Sequence, residues 1–411
     1  MVTLQSAENA LKSVYLGVVA NQLNVAASPL LAMIKRSTSN IYGKEIRKAA
    51  PIGINGGITA GDEDGKLPKA HSTEYVQFVD ELRNLYGKLE ISDKALRATS
   101  NNITSFVNLL NDEMERLIES SNFNLGRMLY GNGTGTLSSV ISFNESNKYL
   151  ELHDVSKIIE GMVVRGTDVG AQNRDQNEEN YFIVQYVDRA NNRIYLDKGG
   201  YQSIGINTGS DIYVQYSYNK EMIGIEGVLT NAKIYGLTRA DYQWLKPYLS
   251  TTTSYISDNL IQTAIDSLED NANSKINLIS TTKAVKRLYQ EYLSAYRRNI
   301  DITELAGGYK TMTYNGIPVI GERFVPANTM YLLNTNDFTL YEMCDWKWLE
   351  DENGRILKQN PDYATYSATL VKYAELLCDK PGGQGKISNI ATTLTPPETS
   401  GTSDTDSGSQ S

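Results

Sequence analysis

Only two cysteines and two histidines occur in this chain of 411 residues. Cys344 and Cys378 are too few for a disulfide framework, and each sits in a strand-like apolar context where a free thiol behaves as a small buried hydrophobe. His71 and His153 have no metal-ligand spacing, which sets aside most metalloenzyme and hydrolase chemistry. No run of about 18 apolar residues is present, so a membrane-spanning helix is excluded. The start, Met-Val-Thr-Leu-Gln-Ser-Ala-Glu, lacks the basic patch and apolar core of an export signal. An excess of basic charge is missing too: the net charge is −9, which argues against a tight coat on nucleic acid. Phenylalanine is scarce, at seven, against 27 tyrosines. Tyrosine buries area while keeping a polar tip, which suits wet contacts between subunits.

What the chain does have is a ladder of short strands from Tyr309 to Ile390. It reads Tyr-Asn-Gly-Ile-Pro-Val-Ile from Tyr314, Met-Tyr-Leu-Leu-Asn from Met330 and Phe-Thr-Leu-Tyr-Glu from Phe338. A hairpin signal follows at Asn353-Gly354, then Leu-Leu-Cys-Asp-Lys-Pro from Leu376 and Lys-Ile-Ser-Asn from Lys386. Apolar and β-branched runs cut by Gly, Pro and Asn predict strands and turns. No nucleophile, metal cluster or phosphate loop stands among them. Such a tract builds a rigid wall.

At this length two or three subdomains are expected. Near the start, Leu11, Val14, Tyr15, Val18 and Val19 share a helical face, and Ser28-Pro29 breaks the run. Residues 1–50 carry six basic residues, Lys12, Lys35, Arg36, Lys44, Arg47 and Lys48, against Glu8 and Glu45, a balance of +4. With Gly at 53, 56, 57, 61 and 65, residues 51–73 cannot carry a core and read as an exposed loop or two-stranded flap. Thr73 to Ile91 reads as the returning strand. Ser92 is the expected N-cap of a long helix through Tyr130. Its stripe runs through Ile103, Phe106, Val107, Leu110, Met114, Leu117, Ile118, Leu125, Met128 and Leu129. At about 1.5 Å per residue it would span ~58 Å, the length of a strut.

Gly131 to Gly135 ends that helix. From Thr136 to Tyr218 short strands and turns predict a small antiparallel β-domain. Helices are predicted over Arg239–Leu249, Ser257–Glu269 and Thr282–Arg298. From Ala391 the chain is too polar to fold alone, and its last 21 residues hold Glu398, Asp404 and Asp406 with no base.

Several motifs reduce to ordinary structure. A phosphate cradle needs a strand before its glycines and a helix after them, and Gly131–Gly135 has the reverse order. Asp62-Glu63-Asp64-Gly65 lacks the spaced ligands of a calcium loop and reads as a solvated tip. The Asn-x-Ser/Thr triplets at Asn102, Asn132 and Asn144 are chance matches in a chain without an export signal. Trp346 and Trp348 suit strand core packing better than a stacking site. The basic residues Lys35, Arg36, Lys44, Arg47 and Lys48 suit acidic patches on a neighbouring copy, ahead of packaged DNA or a scaffold.

Set in order, these pieces are similar to the major capsid proteins of tailed bacteriophages, which have the HK97-like fold. The resemblance runs from residue 1 to about 390. It rests on the arm, the Gly-rich loop carrying Lys66-Leu67-Pro68-Lys69-Ala70, and the helix ending at Leu129-Tyr130-Gly131-Asn132-Gly133-Thr134-Gly135. The segment Ser217-Tyr218-Asn219-Lys220-Glu221-Met222-Ile223-Gly224 and the strand ladder complete it.

The resemblance implies an α+β shell subunit with no enzyme activity and no cofactor. Its parts would be an N-terminal arm (1–50), an extended loop with flanking strands (51–91) and a spine helix of the peripheral domain (92–135). An inserted antiparallel β-domain (136–218), an axial domain (229–345), a return to the peripheral domain (346–390) and a disordered tail (391–411) would follow. Lys66, Lys69, Lys35, Arg36, Arg47 and Lys48 are the candidate inter-subunit contacts. Implied partners are further copies in hexamers and pentamers, a separate scaffolding protein, a portal protein, a decoration protein and packaged DNA through non-specific contact. No membrane is involved, and the place of action would be the virion capsid, assembled in the host cytoplasm. The alternatives are an encapsulin-type compartment shell and, from another class, a β-rich glycan-binding tail or surface protein.

Overall fold

The computed structural model describes residues 28–394 except 54, 95–102, 167–180, 203–204, 297–301, 305–309 and 353. The expected N-terminal helical face and most of the acidic tail lie outside the described residues. Ser28 caps α1 (Pro29–Met33) by accepting from the Leu30 N–H, with Pro29 filling the first turn, where no backbone donor is needed. Three short strands follow: β1 (Lys35–Ser37), β2 (Ile41–Tyr42) and β3 (Glu45–Ile52). The last pairs antiparallel with β4 (Glu74–Glu81) from Glu45↔Glu81 to Ile52↔Glu74, leaving 55–73 as an extended tip. The expected boundary at residue 50 therefore falls inside β3, because pairing with β4 begins at Glu45.

β5 (Arg83–Ser92) alternates, with Leu85, Gly87, Leu89 and Ile91 inward. Ser92 is its last residue and stands directly before the helical residues Asp93 and Lys94, and the expected run from there into the long helix, 95–102, lies outside the described residues. The described helix α2 (Ile103–Leu129) has 27 residues, ~40 Å at about 1.5 Å each. Ile118, Leu125, Met128 and Leu129 of the expected stripe are buried in the main core, with Leu117 packed against them. The side chains of Ile103, Phe106, Val107, Leu110 and Met114 lie outside the described residues.

After Gly131–Gly135, six strands close into a barrel: β6 (Thr136–Asn144), β7 (Tyr149–Leu152), β8 (Val163–Gly166), β9 (Phe182–Asp188), β10 (Arg193–Leu196) and β11 (Asp211–Val214). Leu150, Leu152, Phe182, Ile194 and Ile206 form its separate core. The chain returns through α3 (Ile225–Thr230) and a hairpin of β12 (Lys233–Ile234) and β13 (Leu237–Thr238).

Arg239–Leu249, expected as a helix, holds only a 3₁₀ turn at Gln243–Leu245 and then β14 (Tyr248–Ser250). The buried Arg239 guanidinium explains this, donating to the carbonyl oxygens of Asn231, Leu245 and Val228 and so folding the segment around itself. Pro247 also disfavours helix at Lys246.

A seven-stranded sheet comes next, with two helices close to the expected ranges. Ser257 caps α4 (Asp258–Ala272), β15 (Leu278–Thr281) follows, and Thr282 accepts from the Val285 N–H at α5 (Lys283–Tyr296). Then come β16 (Ile302–Glu304), β17 (Lys310–Tyr314), β18 (Ile317–Gly321) and β19 (Met330–Leu333). Asn315-Gly316 makes the β17–β18 turn, both residues at positive φ.

The last strands are β20 (Phe338–Trp348), β21 (Lys358–Gln359), β22 (Thr365–Cys378) and β23 (Gly385–Ile387). β22 pairs with β20 and with the whole of β5, from Thr365↔Ser92 to Ala374↔Arg83, while β1 lies parallel to β20. β23 leaves this sheet and joins the other, between β14 and β19. The expected division between 345 and 346 falls inside β20, whose ladder to β22 carries on past it with a shifted register, and the segment 346–390 contributes strands to both sheets. The hairpin signal at Asn353-Gly354 coincides with a turn between β20 and β21, closed by the Gly354 N–H on the Asp351 carbonyl and the Asp351 N–H on the Arg355 carbonyl. Trp346 and Trp348 both face the main core, and Cys344 and Cys378 are free thiols.

Candidate functional site

The flap formed by β3, β4 and their tip is rooted in the main core through Ile46 and Phe78, while its tip, 55–73, buries no side chain. Ile58 and Leu67 at its tip are 87% and 90% exposed. Lys66 and Lys69 are exposed beside them, and Asp62–Gly65 is a solvated turn closed by the Gly65 N–H on the Asp62 carbonyl. Among the described residues no group of three or more His, Cys, Asp or Glu converges on a common point.

The root of the flap is held firmly. Phe78 is buried between the rings of Tyr235 and Trp244, at centroid distances of 5.3 and 5.9 Å. Lys48 Nζ lies 2.7 Å from both oxygens of Asp379. Arg47 pairs with Glu45 at 2.8 Å and Lys44 with Glu81 at 2.8 Å. The basic residues expected to face a neighbouring copy thus divide. Arg47 and Lys48 belong to β3 and are engaged within their own chain, because strand pairing carries Lys48 to Asp379, 331 residues away. Lys35 and Arg36 sit exposed on β1, and Lys66 and Lys69 on the tip.

Between flap and sheet lies a group that pattern reading passed over. Arg83 Nε donates to Glu375 at 3.3 Å and its Nη2 lies 3.9 Å from Asp80. Glu375, fully buried, accepts from the Ile223 and Leu376 N–H groups. Burial first, and the nearby Asp80 second, push the Glu375 carboxyl well above its ordinary value; burial also raises Asp80. Both groups hold protons more tightly in the folded chain than in the unfolded one. Their contribution to stability is therefore present at low pH and lost as pH rises from about 4 through their folded values. Glu375→Gln removes most of this. Relative to the parent, its unfolding free energy is expected to improve by about 1 kcal/mol or more between pH 4.5 and pH 8. Denaturant titrations at both pH values check it, and a pH-independent difference would rule it out.

At the other end of α2, Arg127 makes a two-pronged pair with Glu221, Nη2–Oε1 2.6 Å and Nη1–Oε2 2.8 Å, both side chains buried. The cation near the helix C-terminus is favourably placed, and it ties α2 to the loop leaving the barrel. Arg323 secures the barrel from the opposite side. Its Nε donates to the Ser156 carbonyl at 2.6 Å and its Nη2 to that of Ile158 at 3.2 Å, with the guanidinium stacked 4.9 Å from Phe123. The arrangement is a set of clamps around a projecting arm, with charges placed to hold segments together.

No family model matches the sequence, and neither does any curated protein. Among solved structures, the chain is similar to the cyanophage A-1(L) capsid asymmetric unit, with a TM-score of 0.53 at 12% identity, covering 88% of this chain and 92% of that one. The fold is that of a phage capsid subunit. Other similar structures are the SrpI encapsulin of Synechococcus elongatus PCC 7942 (TM-score 0.46, 8% identity, 89% of each chain) and the satellite phage P4 procapsid (TM-score 0.42, 11% identity, 91% of this chain and 99% of that one). The capsid fold accounts for the flap, the long helix and the two sheets as one architecture.

Proposed function

We propose that this chain is a major capsid protein that assembles through hexamers and pentamers into an icosahedral head around double-stranded DNA. The observation that carries the reading is the capsid fold shared over nearly the full length of both chains. The flap supports it, since a tip exposing Ile58 and Leu67 gains burial only against another copy. Lys35, Arg36, Lys66 and Lys69 are the charges proposed to meet neighbouring subunits. The sheet containing β15, β18 and β19 would gather near the symmetry axes, and the sheet of β5, β20 and β22 with α2 would form the periphery. The barrel would be an inserted domain on this frame. Catalysis has no part in the role, and DNA contact would be non-specific, in keeping with the net charge of −9.

Expression with and without a scaffolding protein, followed by negative-stain electron microscopy, tests the proposal. Closed shells or hexamer sheets are the expected products. Small discrete oligomers under every condition would overturn it.

A further inference from the structure

Lys372 on β22 is completely enclosed, with no exposed side-chain area, yet it faces two carboxylates. Its Nζ lies 2.5 Å from Glu342 Oε2 and 2.8 Å from Asp345 Oδ1, and 5.9 Å from the centre of the Trp346 ring. Glu342 and Asp345 are three residues apart on β20. In a regular strand that odd spacing would point them to opposite faces. Here the register of β20 against β22 shifts twice, between Glu342 and Cys344 and between Cys344 and Lys347, and the irregularity turns both carboxylates onto one amine. Taking an ammonium and two carboxylates out of water together carries a desolvation cost that their attraction only partly offsets. A covalent bond that removes one charge of each sign relieves it.

We propose that Lys372 and Asp345 join in an isopeptide bond within the single subunit, with Glu342 as the proton carrier. The Lys372 ammonium gives a proton to Glu342, and the free amine attacks Asp345 Cγ. Glu342 delivers that proton, and then a second one shed by the attacking nitrogen, to one Asp345 oxygen, the C–O bond breaks, and water leaves as the amide forms. One ammonium and one carboxylate become one amide and one water, Glu342 is regenerated, and no oxidant or cofactor is consumed. The two carboxyls differ in the way these roles require. Glu342 is 10% exposed and makes the shorter contact, as a proton carrier must, whereas Asp345 is 40% exposed and gives the water a way out. The bond would staple neighbouring strands of one sheet without a second copy of the chain, so it stands independently of any assembly.

Mass spectrometry of the full-length chain, denatured and reduced, tests this. The parent is expected about 18 Da, one water, below its sequence mass, with a branched peptide joining Lys372 to Asp345. Glu342→Gln and Lys372→Arg are each expected at full mass. A parent at full sequence mass overturns the proposal without reference to whether the variants fold. So does a branch to Glu342 in place of Asp345, or a deficit that survives Glu342→Gln.

Discussion

Gly224→Ala is expected to destabilise the chain by ~3 kcal/mol or more, among the largest effects of any single methyl group here. Gly224 begins α3, where the chain returns from the barrel and presses against the end of α2. A Cβ there would lie 2.2 Å from the Met128 carbonyl oxygen and 2.4 Å from that of Leu129. Both obstacles are backbone atoms, which cannot rotate aside, and the Met128 oxygen already accepts the Gly131 N–H that closes the helix. Relief requires α3 to move, and α3 carries the buried Ile225, Val228 and Leu229. Gly61→Ala is the control: nothing lies within 4 Å of its added Cβ, so a change within about 0.5 kcal/mol is expected. Thermal and denaturant unfolding of the two variants decide the matter, and equal stability would mean that the α2–α3 junction is looser than described.

Deleting residues 55–70 is expected to abolish stable shells while leaving the subunit folded. Nothing in that segment is buried, and its hydrogen bonds are local, from the Gly57 N–H to Asn55 and from the Gly65 N–H to Asp62. The flap root is anchored separately by Phe78, Ile46 and the Lys48–Asp379 pair, so the strands have no need of the tip. Circular dichroism and the unfolding midpoint should match the parent, and electron microscopy should find no closed particles. An unfolded subunit would refute the flap's independence. Intact shells would refute the tip's role in assembly.

These two predictions mark what the amino-acid pattern discloses and what it conceals. Glycine density announced the flap tip, and the steps of three and four at Ile118, Leu125 and Leu129 announced the inward face of α2. The helices beginning after Ser257 and Thr282 could be placed because their spacing and end signals are local. By contrast, the segment from Arg239 had helical character on paper and was captured by one buried guanidinium that binds three carbonyls. The division at 345 falls within β20 because strand membership depends on which strand lies alongside, and neither β20 nor β23 carries that information in its sequence. The charged groups were the least visible. Lys372 and Glu375 occupy inward positions of β22, yet in sequence they look like the polar half of an alternating strand. Only the shifted register and the distant Asp80, Arg83 and Glu342 reveal that they are enclosed. A charge within a strand that is otherwise apolar on both sides, as in Leu370-Val371-Lys372 and Ala374-Glu375-Leu376, is the one signal that could have pointed to them.

The passages into and out of the barrel run side by side. The Asn219 N–H donates to the Thr134 carbonyl at 2.8 Å, and a Cβ on Gly135 would meet the Ser217 carbonyl oxygen at 2.6 Å. The described residues between those points fold around a core of their own and begin and end at nearly the same place. Apart from the Arg323 bonds to Ser156 and Ile158, the barrel is therefore interchangeable with a short turn. This makes the Thr134–Asn219 neck a socket: a foreign domain whose own ends lie close together can be spliced there, and the two sheets beneath need not register the exchange.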